Sequence, residues 1–162
     1  KEYENKIQSS VDYYLNCYSD DKIKNAVQSE HKGYGETMLV LKAIDYLKKN
    51  QIECHHLFKI SGRYFLNELF INSDFNSKHH CFTLWDHSFE SYCSLFYKID
   101  GRFINVYENC LNQMIQKLQE GNCLEMELYQ MITSIFQFQY IKIIPKINIS
   151  GYLSTEGYIF HL

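Results

Sequence analysis

The sequence has few of the features that mark fibrous, exported or membrane-spanning chains. Its 162 residues include only one proline and seven glycines, and no internal repeat or low-complexity linker is visible, which excludes a collagen-like chain. The longest apolar runs extend over only a few residues, such as 38–41, and are too short to cross a bilayer. The opening residues, KEYENK, are polar and charged, so we expect no signal peptide there.

A large excess of charge of either sign is also lacking. Sixteen Lys and Arg residues oppose nineteen Asp and Glu residues, which gives a formal net charge of −3. This balance argues against broad nucleic-acid binding, which needs a basic face, but leaves binding of a small anionic ligand open. The six cysteines form no CxxC pair, a pattern that favours reduced thiols in a cytoplasmic protein over a secreted disulfide scaffold.

The order of predicted helices and strands indicates an α/β fold. With 46% apolar residues the chain can bury a sizeable core, and we predict one domain over 1–162. An amphipathic helix over 35–49 followed by a strand over 54–61 resembles half of a βαβ unit, which predicts a mainly parallel central sheet flanked by helices. The other predicted helices lie at 21–29, with a cap at Ser19-Asp20-Asp21, at 103–119 and at 123–138, and the other predicted strands at 11–17, 80–85, 94–99 and 146–150. The predicted apolar stripe of the helix at 103–119 consists of Tyr107, Cys110, Leu111, Met114 and Leu118.

Two short stretches could bind a ligand. The first, KGYGE at 32–36, lies at the start of the amphipathic helix, where free N–H groups attract phosphate and glycines let a ligand approach. Its structural alternative is a flexible lead-in to the helix. The second, KISGRY at 59–64, lies at a predicted strand end, where an arginine can bind phosphate through two parallel hydrogen bonds. Its alternative is a plain turn at Gly62 with Arg63 in solvent.

Together these motifs, in the pattern KGYGE…HLFKISGRYFLN, resemble small GT-A-like glycosyltransferases of bacterial surface-polysaccharide loci and large DNA viruses. The stretches LEMELY at 124–129 and GYLSTEG at 151–157 resemble later, weaker motifs of the same group. The resemblance implies transfer of a sugar from a nucleotide-sugar donor to a glycan or lipid-linked acceptor. It also implies a donor site, whose residues are Lys32, Gly33, Gly35, Glu36, Lys59, Ser61, Gly62, Arg63 and Tyr64.

The chain departs from the general GT-A pattern in two ways. Ser61-Gly62-Arg63 stands where a metal-binding DxD triplet is usual, so we expect Arg63 to balance the diphosphate charge. We predict no metal-binding residues and no cofactor, and leave dependence on a divalent metal open. Only a partial helix precedes the predicted strand at 11–17. The resemblance therefore implies a GT-A-like, Rossmann-like core that lacks its first strand–helix unit, in a chain that is N-terminally incomplete.

Two carboxylates are candidates for the base that accepts the proton of the acceptor hydroxyl. Glu125 matches the motif of the resembled group, although Asn122 and Glu125 also form a capping-box pattern that only starts a helix. Asp86 is the second candidate, beside Trp85, which could stack on a sugar ring; its alternative is an ordinary turn residue.

Two other classes of function remain open. A non-catalytic module that binds a nucleotide or glycan fits the missing DxD and the weakly supported base. A zinc site is suggested by Cys54-His55-His56 and His79-His80-Cys81, but neighbours on a strand point to opposite faces, so each trio offers at most two ligands. The leading expectation is a cytoplasmic glycosyltransferase with at most peripheral membrane contact, at the inner face.

Overall fold

The computed structural model describes residues 2–85, 90–153 and 158–161. The helices in these residues are α1 (Glu2–Gln8), α2 (Asp21–Gln28), α3 (Lys32–Lys49), α4 (Ile104–Gln119) and α5 (Leu124–Ile135). The strands are β1 (His56–Ile60), β2 (Tyr64–Leu66), β3 (His80–Phe82), β4 (Phe96–Asp100), β5 (Ile141–Ile143), β6 (Ile149–Leu153) and β7 (Tyr158–His161). No helix among the described residues is both long and apolar enough to cross a membrane.

The strands form two small sheets, and neither is mainly parallel. The larger sheet has the order β1-β4-β3-β5, with β4 antiparallel to both neighbours and only β3 and β5 parallel. The smaller sheet, β2-β6-β7, is antiparallel throughout. The prediction of a mainly parallel, GT-A-like or Rossmann-like core is therefore wrong.

The error arises at the segment that precedes α3. A βαβ unit needs a strand before the helix, and residues 11–17 were predicted to supply it. That segment has no regular structure, and its apolar side chains Val11, Tyr13 and Tyr14 are exposed. The helix α3 and strand β1 are thus a plain helix–strand pair, and β1 pairs antiparallel with β4 instead of parallel with an earlier strand.

The remaining predicted elements are present with shifted ends. The helix predicted at 123–138 ends at Ile135, and the strand predicted at 146–150 lies at Ile149–Leu153. The strands predicted at 80–85 and 94–99 are shorter or displaced, and they pair antiparallel. Asp20 caps α2 as predicted, since its side chain accepts a hydrogen bond from the N–H of Ile23.

The main core lies between α4, α5 and the inner face of the larger sheet. The predicted apolar stripe of α4 is confirmed, because all its members are at most 1% exposed: Tyr107, Cys110, Leu111, Met114 and Leu118. From α5 the core receives Leu128 and Ile132, and from the sheet it receives Phe82, Tyr97 and Ile99. Burial of such apolar surface is the dominant stabilising contribution to the fold.

A close backbone contact fixes where β1 begins. The N–H of Gly101, just before α4, donates a hydrogen bond of 2.9 Å to the carbonyl of His55. A Cβ atom at position 101 would lie 1.7 Å from the carbonyl oxygen of Cys54, which only glycine avoids. This contact holds the start of β1 against the start of α4, so the opposite end of β1, at Lys59–Ser61, is directed towards α3.

The fully buried side chain of His80 connects the sheet to the start of α4. Its Nδ1 accepts a hydrogen bond from the N–H of Asp100, so its proton is on Nε2, which has no partner among the described residues. The ring packs against Phe136 and Phe103, at centroid distances of 4.2 and 5.3 Å. A charged imidazole would therefore lose both its solvation and the hydrogen bond from Asp100.

The environment of His80 predicts that stability depends on pH. Burial lowers the pKa of His80 to about 4, with Asp100 opposing the shift and Lys98, Arg102 and His79 adding to it. The unfolded chain, with an ordinary histidine pKa, takes up its proton at a higher pH than the folded chain. The free energy of unfolding should fall as pH drops from about 6.5 to about 4, by about 3 kcal/mol in all.

Urea unfolding followed by circular dichroism at several pH values from about 7 to about 4.5 measures this dependence. The matched variant is His80→Asn, which keeps an acceptor for the Asp100 N–H but does not titrate. The slope of its unfolding free energy against pH should be smaller over this range. The difference in slope should correspond to the uptake of up to about one proton on unfolding. Equal slopes in the two proteins would contradict the assignment to His80.

Candidate functional site

The ammonium group of Lys59 is the centre of a half-buried polar network. It donates hydrogen bonds to the carboxylate of Glu36 (2.6 Å), to Oγ of Ser61 (2.6 Å) and to the carbonyl oxygen of Ser94. The Lys59 side chain is only 10% exposed, and its Nζ lies 5.8 Å from the centroid of the Tyr97 ring. A charge this far from water is stable only with such partners.

The local sequence explains how Lys59 reaches this position. Side chains alternate along β1, so Leu57 and Lys59 face inward and are half-buried, while Phe58 and Ile60 are exposed. Ser61 follows at the same spacing as Leu57 and Lys59, and its hydroxyl also lies 3.3 Å from the Glu36 carboxylate. The first turns of α3 supply Glu36, so two of the predicted motifs meet directly through this ion pair.

A buried loop over 91–95 connects Lys59 to Glu125. Ser94, only 3% exposed, accepts from Lys59 through its carbonyl and donates through its hydroxyl to the Glu125 carboxylate at 2.6 Å. The loop is held by backbone hydrogen bonds from the Tyr92 N–H to the Glu125 carbonyl (3.1 Å) and from the Ser61 N–H to the Leu95 carbonyl (2.9 Å). These bonds hold the end of β1 and the start of α5 on either side of Ser94.

Ser94 was not among the site residues predicted from the sequence. The only signal for it is a hydroxyl inside an otherwise apolar stretch, YCSLF at 92–96. A buried hydroxyl needs a hydrogen-bond partner, which marks it as a candidate for a polar site, but its partners are 31 and 35 residues away along the chain.

Glu125 does not act as a helix cap. The N-cap of α5 is Cys123, and the side chain of Asn122 instead donates to Glu127 at 2.7 Å. The second carboxylate oxygen of Glu125 lies 3.1 Å from the Cys123 thiol. The capping-box explanation of Glu125 is therefore wrong, and its carboxylate is half-exposed at the network instead.

The two glycines of the first motif serve helix packing. A Cβ at Gly33 would lie 2.7 Å from the Cβ of Leu124, so the starts of α3 and α5 touch there. A Cβ at Gly35 would lie 2.9 Å from the Cα of Val27 in α2. Close packing accounts for both glycines, and their predicted contact with a ligand stays a prediction.

The second motif has an open turn. A Cβ at Gly62 would meet nothing within 4 Å, so neither packing nor a positive φ angle calls for glycine here. Arg63 is exposed, and so is Lys32 at the start of α3; neither forms an ion pair within the described part of the chain. Tyr64 begins β2 and packs over Gly151 of β6, which gives it a structural role in the smaller sheet.

Two clefts adjoin at Glu36. The polar cleft, of about 270 Å³, lies between the starts of α3 and α5, and its lining includes Lys32, Glu36, Ser94, Asn122 and Glu125. The apolar cleft, of about 380 Å³, lies between α3 and β1. It is lined by Glu36, Leu39, Val40 and Ala43 and by residues 57–63, which include Lys59, Ser61, Gly62 and Arg63.

A larger groove, of about 970 Å³, lies at the opposite end of β1, but its chemistry is weaker. Two of its cations, Arg102 and Lys48, are neutralised by Asp100 and Glu108, and the third, Lys78, is exposed. None of the predicted donor-site or catalytic residues lines it, and its only residues from a predicted site are Cys54, His55 and His56 of one Cys–His trio. We therefore place the candidate site at the two smaller clefts, where the half-buried charges of Lys59, Glu36 and Glu125 lie in one network.

Two sequence expectations find no support in the described structure. Asp86 lies outside the described residues, so its predicted catalytic role stays a prediction. Within the described ranges no group of three or more His, Cys, Asp or Glu side chains could hold a metal ion, and the six cysteines are free thiols. The two Cys–His trios therefore form no candidate zinc centre among these residues.

Comparison with known proteins leaves the chain without an assigned family. Neither protein-family models nor curated proteins nor solved structures give a significant match. The function must therefore be argued from the clefts themselves.

The network predicts that Lys59 contributes strongly to stability. Lys59→Met would leave the Ser94 carbonyl without this donor and the Glu36 carboxylate with only the Ser61 hydroxyl, at a cost of about 2 kcal/mol in unfolding free energy. The control is Lys49→Met, which breaks an exposed pair with Asp45 and should cost less than about 0.5 kcal/mol. Urea unfolding of both variants tests this, and equal small losses would contradict the network.

Proposed function

We propose that the chain is a glycosyltransferase that moves a sugar from a nucleotide-sugar donor to a glycan or lipid-linked acceptor. One observation carries the proposal. Three segments that are far apart in the sequence, and that the resemblance includes, meet in one network: the end of β1 supplies Lys59, the start of α3 binds it through Glu36, and the start of α5 is joined to it through Ser94. In this proposal the protein acts in the cytoplasm, in peripheral contact with a membrane where the acceptor is lipid-linked.

The charges around the two clefts support an anionic donor. Lys32 and Arg63 are exposed cations at cleft walls and have no ion-pair partner among the described residues. The Lys59 ammonium, by contrast, is already bound to Glu36. We assign Arg63, with Lys32, to the diphosphate, and Lys59 and Glu36 to holding the walls in place.

The proposed reaction is a displacement at the anomeric carbon of the donor sugar. The acceptor oxygen forms a bond to that carbon while the bond from the carbon to the diphosphate oxygen breaks. Glu125 takes the proton of the acceptor hydroxyl, and the bonding pair leaves with the nucleoside diphosphate. Arg63 stabilises the negative charge that develops on this leaving group, in the role that a metal ion has in many related reactions.

A second candidate is a non-catalytic module that binds a nucleotide or a glycan. One observation favours it: both carboxylate oxygens of Glu125 lie within hydrogen-bond distance of protein groups, Ser94 and Cys123. These contacts give the carboxylate a structural role that needs no catalysis, while each oxygen keeps a second lone pair that can accept a proton. The two candidates differ in turnover but not in binding.

The assay is release of nucleoside diphosphate across a panel of nucleotide sugars, with acceptor, in the presence and absence of EDTA. Arg63→Ala should lower turnover about a hundredfold, because it removes stabilisation of the leaving diphosphate. Glu125→Gln should lower turnover by about a hundredfold or more while nucleotide binding persists.

Lys49→Ala is the control, since it removes a cation about 9 Å along α3 beyond Ala43, the last residue of that helix that lines either cleft. Its turnover should equal that of the unmodified protein. Wild-type turnover in Arg63→Ala would remove the assigned role of Arg63, and EDTA-sensitive turnover would assign the leaving-group charge to a metal. Nucleotide binding without turnover for any donor would favour the binding module.

A further inference from the structure

We propose that the two clefts divide the donor between them: the apolar cleft binds its nucleoside, and the polar cleft binds its sugar next to Glu125. This inference rests on the proposed function and deepens it by assigning each part of the substrate to a surface. The apolar cleft offers side chains from both walls: Leu39, Val40 and Ala43 of α3, and Leu57, Phe58 and Ile60 of β1.

The apolar cleft meets β1 at its edge. Consecutive side chains of a strand point to opposite faces, so a cleft that touches every residue from 57 to 60 lies along the edge of the strand and not over one face. One edge of β1 pairs with β4, and no strand in the described part of the chain pairs with the other. The cleft is therefore bordered by free backbone N–H and C=O groups as well as by apolar side chains.

A nucleobase matches this combination. Its flat faces are apolar and pack between side chains, while its rim carries hydrogen-bond donors and acceptors that can pair with the strand edge. A hydrocarbon chain would leave those backbone groups without partners, which costs free energy in a closed cleft. The volume of about 380 Å³ is at the lower end of the range for small-molecule pockets and suits a nucleoside better than a whole nucleotide sugar.

The polar ends of the two clefts determine where the diphosphate and the sugar of the donor would lie. The apolar cleft ends at Ser61, Gly62 and Arg63, where a diphosphate would find a guanidinium and an open turn. Across Glu36 lies the polar cleft of about 270 Å³, whose hydroxyl, amide and carboxylate groups suit a sugar. A donor extended along this line presents its anomeric carbon near Glu125.

The test is a substitution that fills the apolar cleft. Ala43 of α3 lines the cleft and is half-exposed, so Ala43→Leu can extend into the space without displacing the core. Isothermal titration calorimetry with UDP, GDP, ADP and CDP should show binding of the preferred nucleotide weakened about tenfold or more. Ala43→Ser, which leaves the space open, should bind as the unmodified protein does, and inorganic pyrophosphate should bind all three proteins equally.

The outcomes separate this inference from the proposed function. If Ala43→Leu and the unmodified protein bind the nucleotide equally and both transfer sugar, the assignment of the nucleoside to the apolar cleft is wrong and the proposed transferase activity stands. If Ala43→Leu weakens nucleotide binding but the unmodified protein transfers no sugar, the nucleoside subsite stands and the proposed transferase activity is wrong. No binding of any nucleoside diphosphate to the unmodified protein would overturn both. A dimer in light scattering that Ala43→Leu dissociates would identify a second copy of the chain as the occupant and overturn the subsite.

Discussion

The need to keep one buried ammonium group hydrogen-bonded organises this site. Lys59 faces inward because of the alternation of β1, and its charge is tolerated only because Glu36, Ser61 and the Ser94 carbonyl surround it. Each partner belongs to a different turn or element, so satisfying one charge brings the start of α3, the end of β1 and the loop before β4 together. Through Ser94 the same constraint extends to Glu125, and the two clefts are the spaces left beside this network.

Periodicity alone predicted most of the helices but could not give the direction of the strands. The apolar stripe of α4 was correct residue by residue, because a 3.6-residue repeat over sixteen positions is a strong local signal. A helix followed by a strand, however, has the same pattern whether that strand joins a parallel or an antiparallel sheet. The choice depends on which strand lies beside β1, and residues 11–17, whose composition suits a strand, form none.

The candidate site was predicted in part, and the missing part depends on contacts over long separations. Glu36, Lys59, Ser61 and Glu125 could be named from short motifs, since each motif supplies its own residues. Ser94 could not be named in this way, because its role depends on two partners in other segments and no motif next to it in the sequence predicts that role. The reasons for individual residues also differ from those expected: Gly33 and Gly35 allow helices to touch, and only Gly62 stands in open space.

The space around Lys59 is the proposed binding site for a nucleoside diphosphate. The most direct measurement is a titration of the isotopically labelled protein with UDP, GDP, ADP and CDP, followed by backbone amide chemical shifts in NMR. The largest shifts should fall in residues 32–36 and 57–63, and the next largest at the start of α5. Largest shifts along the groove formed by residues 51–56 and 100–104, or no shifts with any nucleotide, would contradict it.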